Sequence, residues 1–361
     1  LNSHFYFCGL FSFAIFFQIF CAKAFAADHN WQNLDAHLYS SIYCLNVGID
    51  VRLKDGPWVQ LSGISPRQHY YVFTTTSQEQ GYQIVGHGTS FPLASTDKQK
   101  LVFITCKHVL DDAAETIREC EMFYSAMRLY AVKTAKNNES ENRMDELLNI
   151  VNLSLKKNLT ATEKILYAKT VDAIWDCYDT NLSIKADPKQ LLFGKYKKLV
   201  SLQTKTAYLL HSPGSLTQPA LQAKIYKVST TPDLAILTIQ SSYKQTVSAL
   251  DLDETLVNRG QEVQAAGYPV LTESKNPIKS YSPTFTNGKV LYADTNTVGF
   301  DASINKGSSG GPLLSKNGKV LGIIIRKPDL RKRNKSSDLY CNIAVSSRAV
   351  RSFVPELFKA L

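Results

Sequence analysis

Asn305-Lys306-Gly307-Ser308-Ser309-Gly310-Gly311-Pro312 is the stretch on which the reading of this chain turns. A serine stands among small residues, and flanking glycines let the backbone bend sharply and approach another molecule closely. Such a turn can aim the N–H groups of Gly307 and Ser309 at one point, where they would hold an oxygen that becomes negative during acyl transfer. The residues that follow read as a hairpin: Leu313-Leu314, a two-residue turn at Asn317-Gly318, then an apolar run over 320–325. Ser309 is therefore expected on a loop braced by a sheet. A glycine-rich turn by itself carries no chemistry, so its partners have to be sought upstream.

A serine hydroxyl is a poor nucleophile without a base beside it. Histidine suits that role because its ordinary pKa of about 6.5 lets it take and return a proton near neutrality. A carboxylate completes the set by holding the ring in one tautomer. Of seven histidines, His108 alone follows a strongly apolar strand, 101–105, directly and begins a tight turn. Asp233 stands immediately before a second apolar strand, 234–239. Asp111 and Asp112 are rivals, but they lie too close to His108 along the chain to fold back onto it and instead open a helix.

Around these residues the text is β-like. Runs at 42–47, 51–53, 70–75 and 82–85 are rich in β-branched and aromatic side chains, and Gly86-His87-Gly88-Thr89-Ser90-Phe91 breaks the pattern. Further strands are expected at 196–203, 206–210, 223–228, 261–265, 289–292 and 297–300, and an amphipathic helix at 346–361. Between them, 112–182 changes character. Ile117, Cys120, Tyr124, Met127 and Tyr130 follow a helical period, as do Met144, Leu147, Leu148 and Val151. Thr160 and Glu163 form a capping box ahead of Ile165, Ala168, Val171, Trp175 and Tyr178. Three helices thus interrupt a β-rich chain.

The 361 residues allow a large core, and the composition is that of a globular protein. Residues 5–20 are almost wholly apolar and lead to Ala24-Phe25-Ala26, a small-x-small site, so residues 1–26 read as a signal peptide cleaved near Ala26, with an anchor at 5–20 as the alternative. The remaining 27–361 is one domain carrying the helical insertion. Net charge is +10, and the densest basic cluster, Arg326, Lys327, Arg331, Lys332 and Arg333, offers an anionic surface or ligand a place to bind. No interleaving of aromatic and basic residues points to specific nucleic-acid binding. Five cysteines remain beyond Ala26, without the spacing of a zinc site, and Cys120 and Cys177 are the best-placed pair for a bridge. No metal or cofactor is expected.

The order His108, Asp233, Ser309 and the words around each residue resemble the trypsin-like, chymotrypsin-fold serine proteases, and within them the HtrA/Deg branch. Ile104-Thr105-Cys106-Lys107-His108-Val109 resembles that family's T-A-A-H-V, Pro232-Asp233-Leu234-Ala235-Ile236-Leu237 its D-L-A-(V/L)-L, and the stretch Ile304 to Leu313 its I-N-x-G-N-S-G-G-P-L. Gly88-Thr89-Ser90-Phe91 and Gly267-Tyr268-Pro269 are weaker echoes. The departures are Cys106-Lys107 in place of two small residues, Ser308 in place of Asn or Asp, Ser90 in place of Gly, and 125 residues between His108 and Asp233.

The resemblance implies a mainly β fold of two antiparallel six-stranded barrels, here with a helical insertion and a C-terminal helix. It implies an exported, periplasmic or secreted endopeptidase acting on protein or peptide substrates. Ser309 would attack, His108 would carry the proton, Asp233 would orient His108, and the amides of Gly307 and Ser309 would form the oxyanion hole. Ile304 would line the pocket for the side chain before the scissile bond. No PDZ domain is expected. The competing readings are a latent or inactive barrel used for binding, and an esterase with the same triad.

Overall fold

The computed structural model describes residues 31, 33–53, 58–64, 70–75, 82–96, 100–136, 139–151, 153, 158–183, 202–214, 220–240, 247–269, 282–326 and 341–358. The chain divides into two compact units. One comprises the residues up to Leu45, His87–Val109 and Leu209–Leu361; the other comprises Asn46–Gly86 and Leu110–Tyr208. The signal segment, the strand residues 196–201 and the basic residues beyond Arg326 lie outside the described residues.

Eight strands form the first sheet: β1 (Tyr43–Leu53), β2 (Trp58–Ile64), β3 (Tyr70–Thr75), β4 (Gln83–Pro92), β5 (Lys100–Thr105), β6 (Leu202–His211), β7 (Leu221–Ser229) and β8 (Leu234–Gln240). Their order is β3-β2-β1-β4-β5-β8-β7-β6, and β6 also pairs with β1. Six strands therefore close into a barrel, from which the β2–β3 hairpin extends. A second barrel is closed by β9 (Glu262–Gly267), β10 (Thr284–Ala293), β11 (Thr297–Phe300), β12 (Pro312–Leu314), β13 (Val320–Arg326) and β14 (Asn342–Ser346), in the order β10-β11-β14-β13-β12-β9. The expected pair of six-stranded antiparallel barrels is present.

Alternation builds the second barrel's core, because successive side chains of a strand point to opposite faces. Val263 and Ala265 of β9, Val298 and Phe300 of β11 and Leu313 of β12 meet there; Leu321 and Ile324 of β13, three residues apart, join them because the β12–β13 pairing shifts register at Leu321. Removing one side chain of the size of Phe300 from water contributes roughly 1.5–3 kcal/mol. The β12–β13 connection differs from the two-residue turn expected. Ser315 N–H bonds to Lys319 O and Gly318 N–H to Ser315 O, both at 2.9 Å, and Gly318 has φ 73°. Three residues, 316–318, therefore form the loop, with the glycine as its left-handed exit.

In the other unit, helices α1 (Lys107–Thr134, which begins in the first unit), α2 (Ser140–Val151) and α3 (Ala161–Ser183) follow one another. The capping box is made: Thr160 N–H meets Glu163 Oε2 at 2.9 Å, and Glu163 N–H meets Thr160 Oγ1 at 3.2 Å. The buried face of α1 runs through Cys120, Phe123, Tyr124, Met127 and Ala131; of the stripe expected, Ile117 and Tyr130 at its ends are only half-buried. In α3, Val171, Ile174, Trp175 and Tyr178 are buried, whereas Ile165, one turn into the helix, is 56% exposed. Trp175 packs against Phe123 and Tyr178, with ring centroids 5.6 and 5.7 Å apart. No disulfide joins Cys120 and Cys177, which corrects the bridge suggested by their shared helical region.

Three further boundaries differ from expectation. β4 runs straight through Gly86-His87-Gly88 instead of breaking there. Gly88 is a point of close approach, since a Cβ on it would lie 2.7 Å from Val109 and 3.2 Å from the Ser309 carbonyl. The helix after β5 begins at Lys107, so His108 belongs to its first turn and not to a separate one. The closing helix α4 (Ser347–Phe353), capped by Ser346 Oγ accepting from Ala349 N–H, stops before Pro355, which opens a short 3-10 turn at Pro355–Leu357. A proline lacks the N–H that would continue the ladder and disfavours helical backbone in the residue before it. Among the described residues no helix is long and apolar enough to cross a membrane.

Candidate active site

β5 and β8 run antiparallel with Thr105 opposite Ala235 and Leu101 opposite Ile239. Continuing that register past Thr105 brings the start of α1 level with Asp233, so the pairing itself draws His108 and Asp233 together. Asp233 Oδ2 lies 2.6 Å from His108 Nδ1, and its Oδ1 accepts the backbone N–H of His108 at 3.0 Å. One carboxylate thus grips both the ring and the first turn of a helix, where N–H groups are otherwise unpaired. Burial alone would raise the Asp233 pKa. The side-chain and backbone hydrogen bonds from His108, together with the charges of His108 and Lys107, outweigh it and hold the carboxyl below its ordinary value. The His108 side chain keeps 46% of its surface exposed, and its Nε2 meets no hydrogen-bond partner among the described residues.

Ser309 sits on a loop pinned from several sides. Ser308 N–H bonds to Asn305 O and Gly311 N–H to Ser308 O, each at 3.0 Å, which closes two successive tight turns. Gly310 N–H bonds to Ile324 O at 2.8 Å and Ile324 N–H to Gly311 O at 2.8 Å, tying the loop to β13. Gly307 and Gly310 have φ of 97° and 87°, conformations that a side chain would strain. In a planar trans peptide N–H and C=O point oppositely. Fixing Ser308 O on Gly311 therefore turns the Ser309 N–H the other way. Neither that N–H nor the Gly307 N–H meets an acceptor among the described residues.

Thr89 of β4 is the clamp that the sequence reading passed over. Its N–H bonds to Ser309 O at 2.8 Å, and its hydroxyl donates to Gly307 O at 2.8 Å while accepting Tyr268 N–H at 2.9 Å. Its own carbonyl accepts the Thr105 hydroxyl at 2.8 Å. Its local signal is only a threonine between Gly88 and Ser90, because its partners lie far along the chain. Cys106 is one of the departures from the family's words. Its thiol is fully buried and donates to Ile324 O at 3.1 Å, the same carbonyl that receives Gly310 N–H. Its sulfur, a ring nitrogen of His108 and a carboxylate oxygen of Asp233 all lie within 4.8 Å of one another. The histidine–aspartate pair and the Ser309 loop therefore meet on either side of Cys106. Ser309 Oγ itself donates to Ile325 O at 3.4 Å.

Residues 207–323 match the family of trypsin-like peptidase domains, a span that holds Asp233 and Ser309 and starts beyond the three helices. The chain is similar to the magnetosome formation protease MamE of Magnetospirillum gryphiswaldense, 36% identical over 103 residues, which are 28% of this chain and 13% of that protein. It is similar to the serine protease Do-like HtrA of Lactobacillus helveticus, 31% identical over 150 residues, or 38% of this chain and 34% of the relative. The serine protease HTRA1B of Danio rerio is 32% identical over 132 residues, 36% of this chain and 25% of that protein.

The chain carries a trypsin-like, HtrA-like domain.

The matched part spans about a third or less of the length of these relatives. Ile304, five residues before Ser309 in this HtrA-like domain, is 6% exposed and belongs to the core of the second barrel. Its remaining surface lines a small cavity of about 50 Å³, with Ala266, Thr284, Ser303, Asn305 and Ser308 around it. Below the loop, His87 Nε2 lies 3.2 Å from Tyr268 O, and Tyr268 OH donates to Ile42 O at 3.1 Å. Burial lowers the His87 pKa against the pull of the Tyr268 carbonyl, and the nearby His211 and Lys306 charges lower it further.

Proposed function

We propose that the chain hydrolyses peptide bonds through an acyl-enzyme on Ser309. The observation that carries this reading is the two-point grip of Asp233 on His108, which engages Nδ1 and leaves Nε2 without a partner among the described residues. With Nδ1–H donated to Asp233, Nε2 has the lone pair a general base needs. Rotation of the Ser309 side chain away from Ile325 O would hand its proton to Nε2 as Oγ attacks the carbonyl carbon. The amides of Gly307 and Ser309, unspent within the described residues, would then receive the developing oxyanion, and Nε2–H would protonate the leaving amine. Ile304 offers an apolar wall for a small or medium side chain on the acyl side. Export follows from the apolar leader cleaved near Ala26, and the basic run from Arg326 would meet an anionic surface or ligand.

A fluorophosphonate probe tests this directly. The folded chain should label at Ser309 and cleave an unfolded protein, and Ser309→Ala should do neither. A folded sample that neither labels nor cleaves overturns the reading. A second reading is favoured by one contact, the Ser309 hydroxyl bonded to Ile325 O. In it the site is latent, and labelling would appear only after a ligand or partner has turned the serine.

A further inference from the structure

Two residues of the proposed triad belong to a donor set whose third member, Cys106, triad chemistry does not need. Cys106, His108 and Asp233 offer a sulfur, an imidazole nitrogen and a carboxylate oxygen, all within 4.8 Å of one another. They come from two places in the fold. Cys106 and His108 flank the β5–α1 junction, and Asp233 precedes β8. We infer that these three side chains form an inhibitory binding site for a borderline-soft divalent cation of the zinc class.

The donor set decides the class of ion. A thiolate, an imidazole and a carboxylate suit Zn²⁺ and its neighbours, whereas Mg²⁺ and Ca²⁺ take oxygen ligands. Zinc sits about 2.3 Å from sulfur and about 2.0–2.2 Å from nitrogen and oxygen, so its tetrahedral ligands stand roughly 3.3–3.7 Å apart. The Nδ1 to Oδ2 distance of 2.6 Å would open by somewhat under 1 Å, and the sulfur would close by about as much. Small side-chain rotations supply both. Cys106 forms the buried floor, its thiol now turned to the Ile324 carbonyl. His108 and Asp233, with 46% and 31% of their side chains exposed, leave a solvent-facing entry and room for a water as fourth ligand.

The proton balance explains the inhibition. The thiol gives up one proton to solvent as sulfur binds. The imidazole stays neutral: Nδ1 exchanges its proton for the cation, and Nε2 takes up a proton. An Nε2 that carries a proton cannot accept one from Ser309, and Asp233 no longer orients the ring. The site stands on side-chain positions alone, while its inhibitory consequence rests on the proposed triad.

Two readouts separate these. The first ignores catalysis: the full-length chain, reduced and stripped of metal with a chelator, is titrated with Co²⁺. One ion per chain should bind with a thiolate-to-cobalt charge-transfer band, and Zn²⁺ should displace it. The band should vanish in Cys106→Ala and His108→Ala and persist in Cys120→Ala. A melting curve confirms that each variant is folded, and Cys106→Ser, which keeps the volume and a donor for Ile324 O, is the second variant. The second readout is hydrolysis in buffered free Zn²⁺. Turnover should fall at least tenfold and return with chelator, Mg²⁺ and Ca²⁺ should have no effect, and the Zn²⁺ midpoint should rise at least tenfold in both Cys106 variants. Each variant is compared with its own ion-free rate. A cobalt band that survives in Cys106→Ala and Cys106→Ser, or no band in the wild type, overturns the site. A band without inhibition in an active enzyme overturns the regulatory role, whereas a band in a chain without any turnover counts against the proposed hydrolysis and not against the site.

Discussion

Replacing Thr89 by valine tests whether the proposed oxyanion loop is held from β4. Valine has nearly the same shape, so the cavity term is small and the change isolates the hydroxyl. That hydroxyl serves two buried partners, the carbonyl of Gly307 at 2.8 Å and the N–H of Tyr268 at 2.9 Å. Thr89 is fully buried, so no solvent replaces it at either. An unsatisfied buried polar group costs about 1–3 kcal/mol, so the pair should cost roughly 2–5 kcal/mol of stability. That is a large share of a typical total of about 5–15 kcal/mol. The backbone bonds from Thr89 N–H to Ser309 O and from the Thr105 hydroxyl to Thr89 O survive, so the loop should loosen without detaching. The Gly307 carbonyl belongs to the peptide lying between the two that carry the proposed oxyanion donors. Removing such a donor outright costs about 10²–10³ in kcat, and a donor that only wanders should cost about 10–10². Urea unfolding and hydrolysis of a fluorogenic peptide measure both, with Thr89→Ser as the conservative control that restores both hydrogen bonds. A valine variant within about 0.5 kcal/mol of wild type, smaller than a single net hydrogen bond, would refute the reasoning. So would a serine variant as impaired as valine.

Asp233→Asn keeps the shape but offers an amide where Nδ1–H needs an anion. Turnover should fall by about 10³–10⁴ with KM little changed, while the backbone grip on α1 can persist and the melting point should move little. Gly310→Ala and Gly260→Ala impose the same backbone strain at φ of 87° and 82°, but a Cβ on Gly310 would lie 2.1 Å from Thr89 O, whereas one on Gly260 would meet nothing within 4 Å. Gly260→Ala should cost about 1–2 kcal/mol and Gly310→Ala well above about 3 kcal/mol, read from urea midpoints. Burial lowers the pKa of His87, so the unfolded chain binds a proton that the folded chain refuses. Stability present above the unfolded value of about 6.5 should therefore be lost as pH falls below it, and the slope should flatten in His87→Gln. His211, lowered by burial as well, contributes with the same sign, so the double variant should be flatter still.

The parts that were legible in the sequence share a local cause. A buried strand such as β5 or β8 announces itself through its apolar run, and the capping box at Thr160 and Glu163 involves residues three apart. The serine loop could be read because its turns need glycine at fixed places. What could not be read depends on distant partners. Thr89 acts on residues 218 and 179 positions away, and Cys106 donates to a carbonyl 218 positions away. Nothing in the local pattern of either residue distinguishes a clamp from an ordinary strand position. The glycines around His87 suggested a break because they lack side chains, yet β4 runs through them since Gly88 gives room to Val109 and the Ser309 carbonyl. The 3-10 turn after α4 could have been foreseen from Pro355; the amphipathic period ran over it.

The length of the insertion between His108 and Asp233 looks at first like a threat to the site, and the strand register shows why it is not. Six consecutive pairs, from Lys100 opposite Gln240 to Thr105 opposite Ala235, fix β5 against β8. His108 and Asp233 are the next residues to emerge from that ladder, only three and two positions beyond its last pair. Their 2.6 Å contact is therefore set by the pairing of two short buried strands and not by the 125 residues that separate them along the chain. The entropic cost of closing a loop grows only slowly with its length. Helices can be added between such positions while the ladder stays the same, because both faces of the ladder are packed: Phe103 and Leu237 are as fully buried as Ile104 and Ile236. The requirement at this point is thus a continuous apolar run, Val102-Phe103-Ile104 on β5 and Leu234-Ala235-Ile236-Leu237 on β8, each nearly or fully buried, and it is met within the strands themselves.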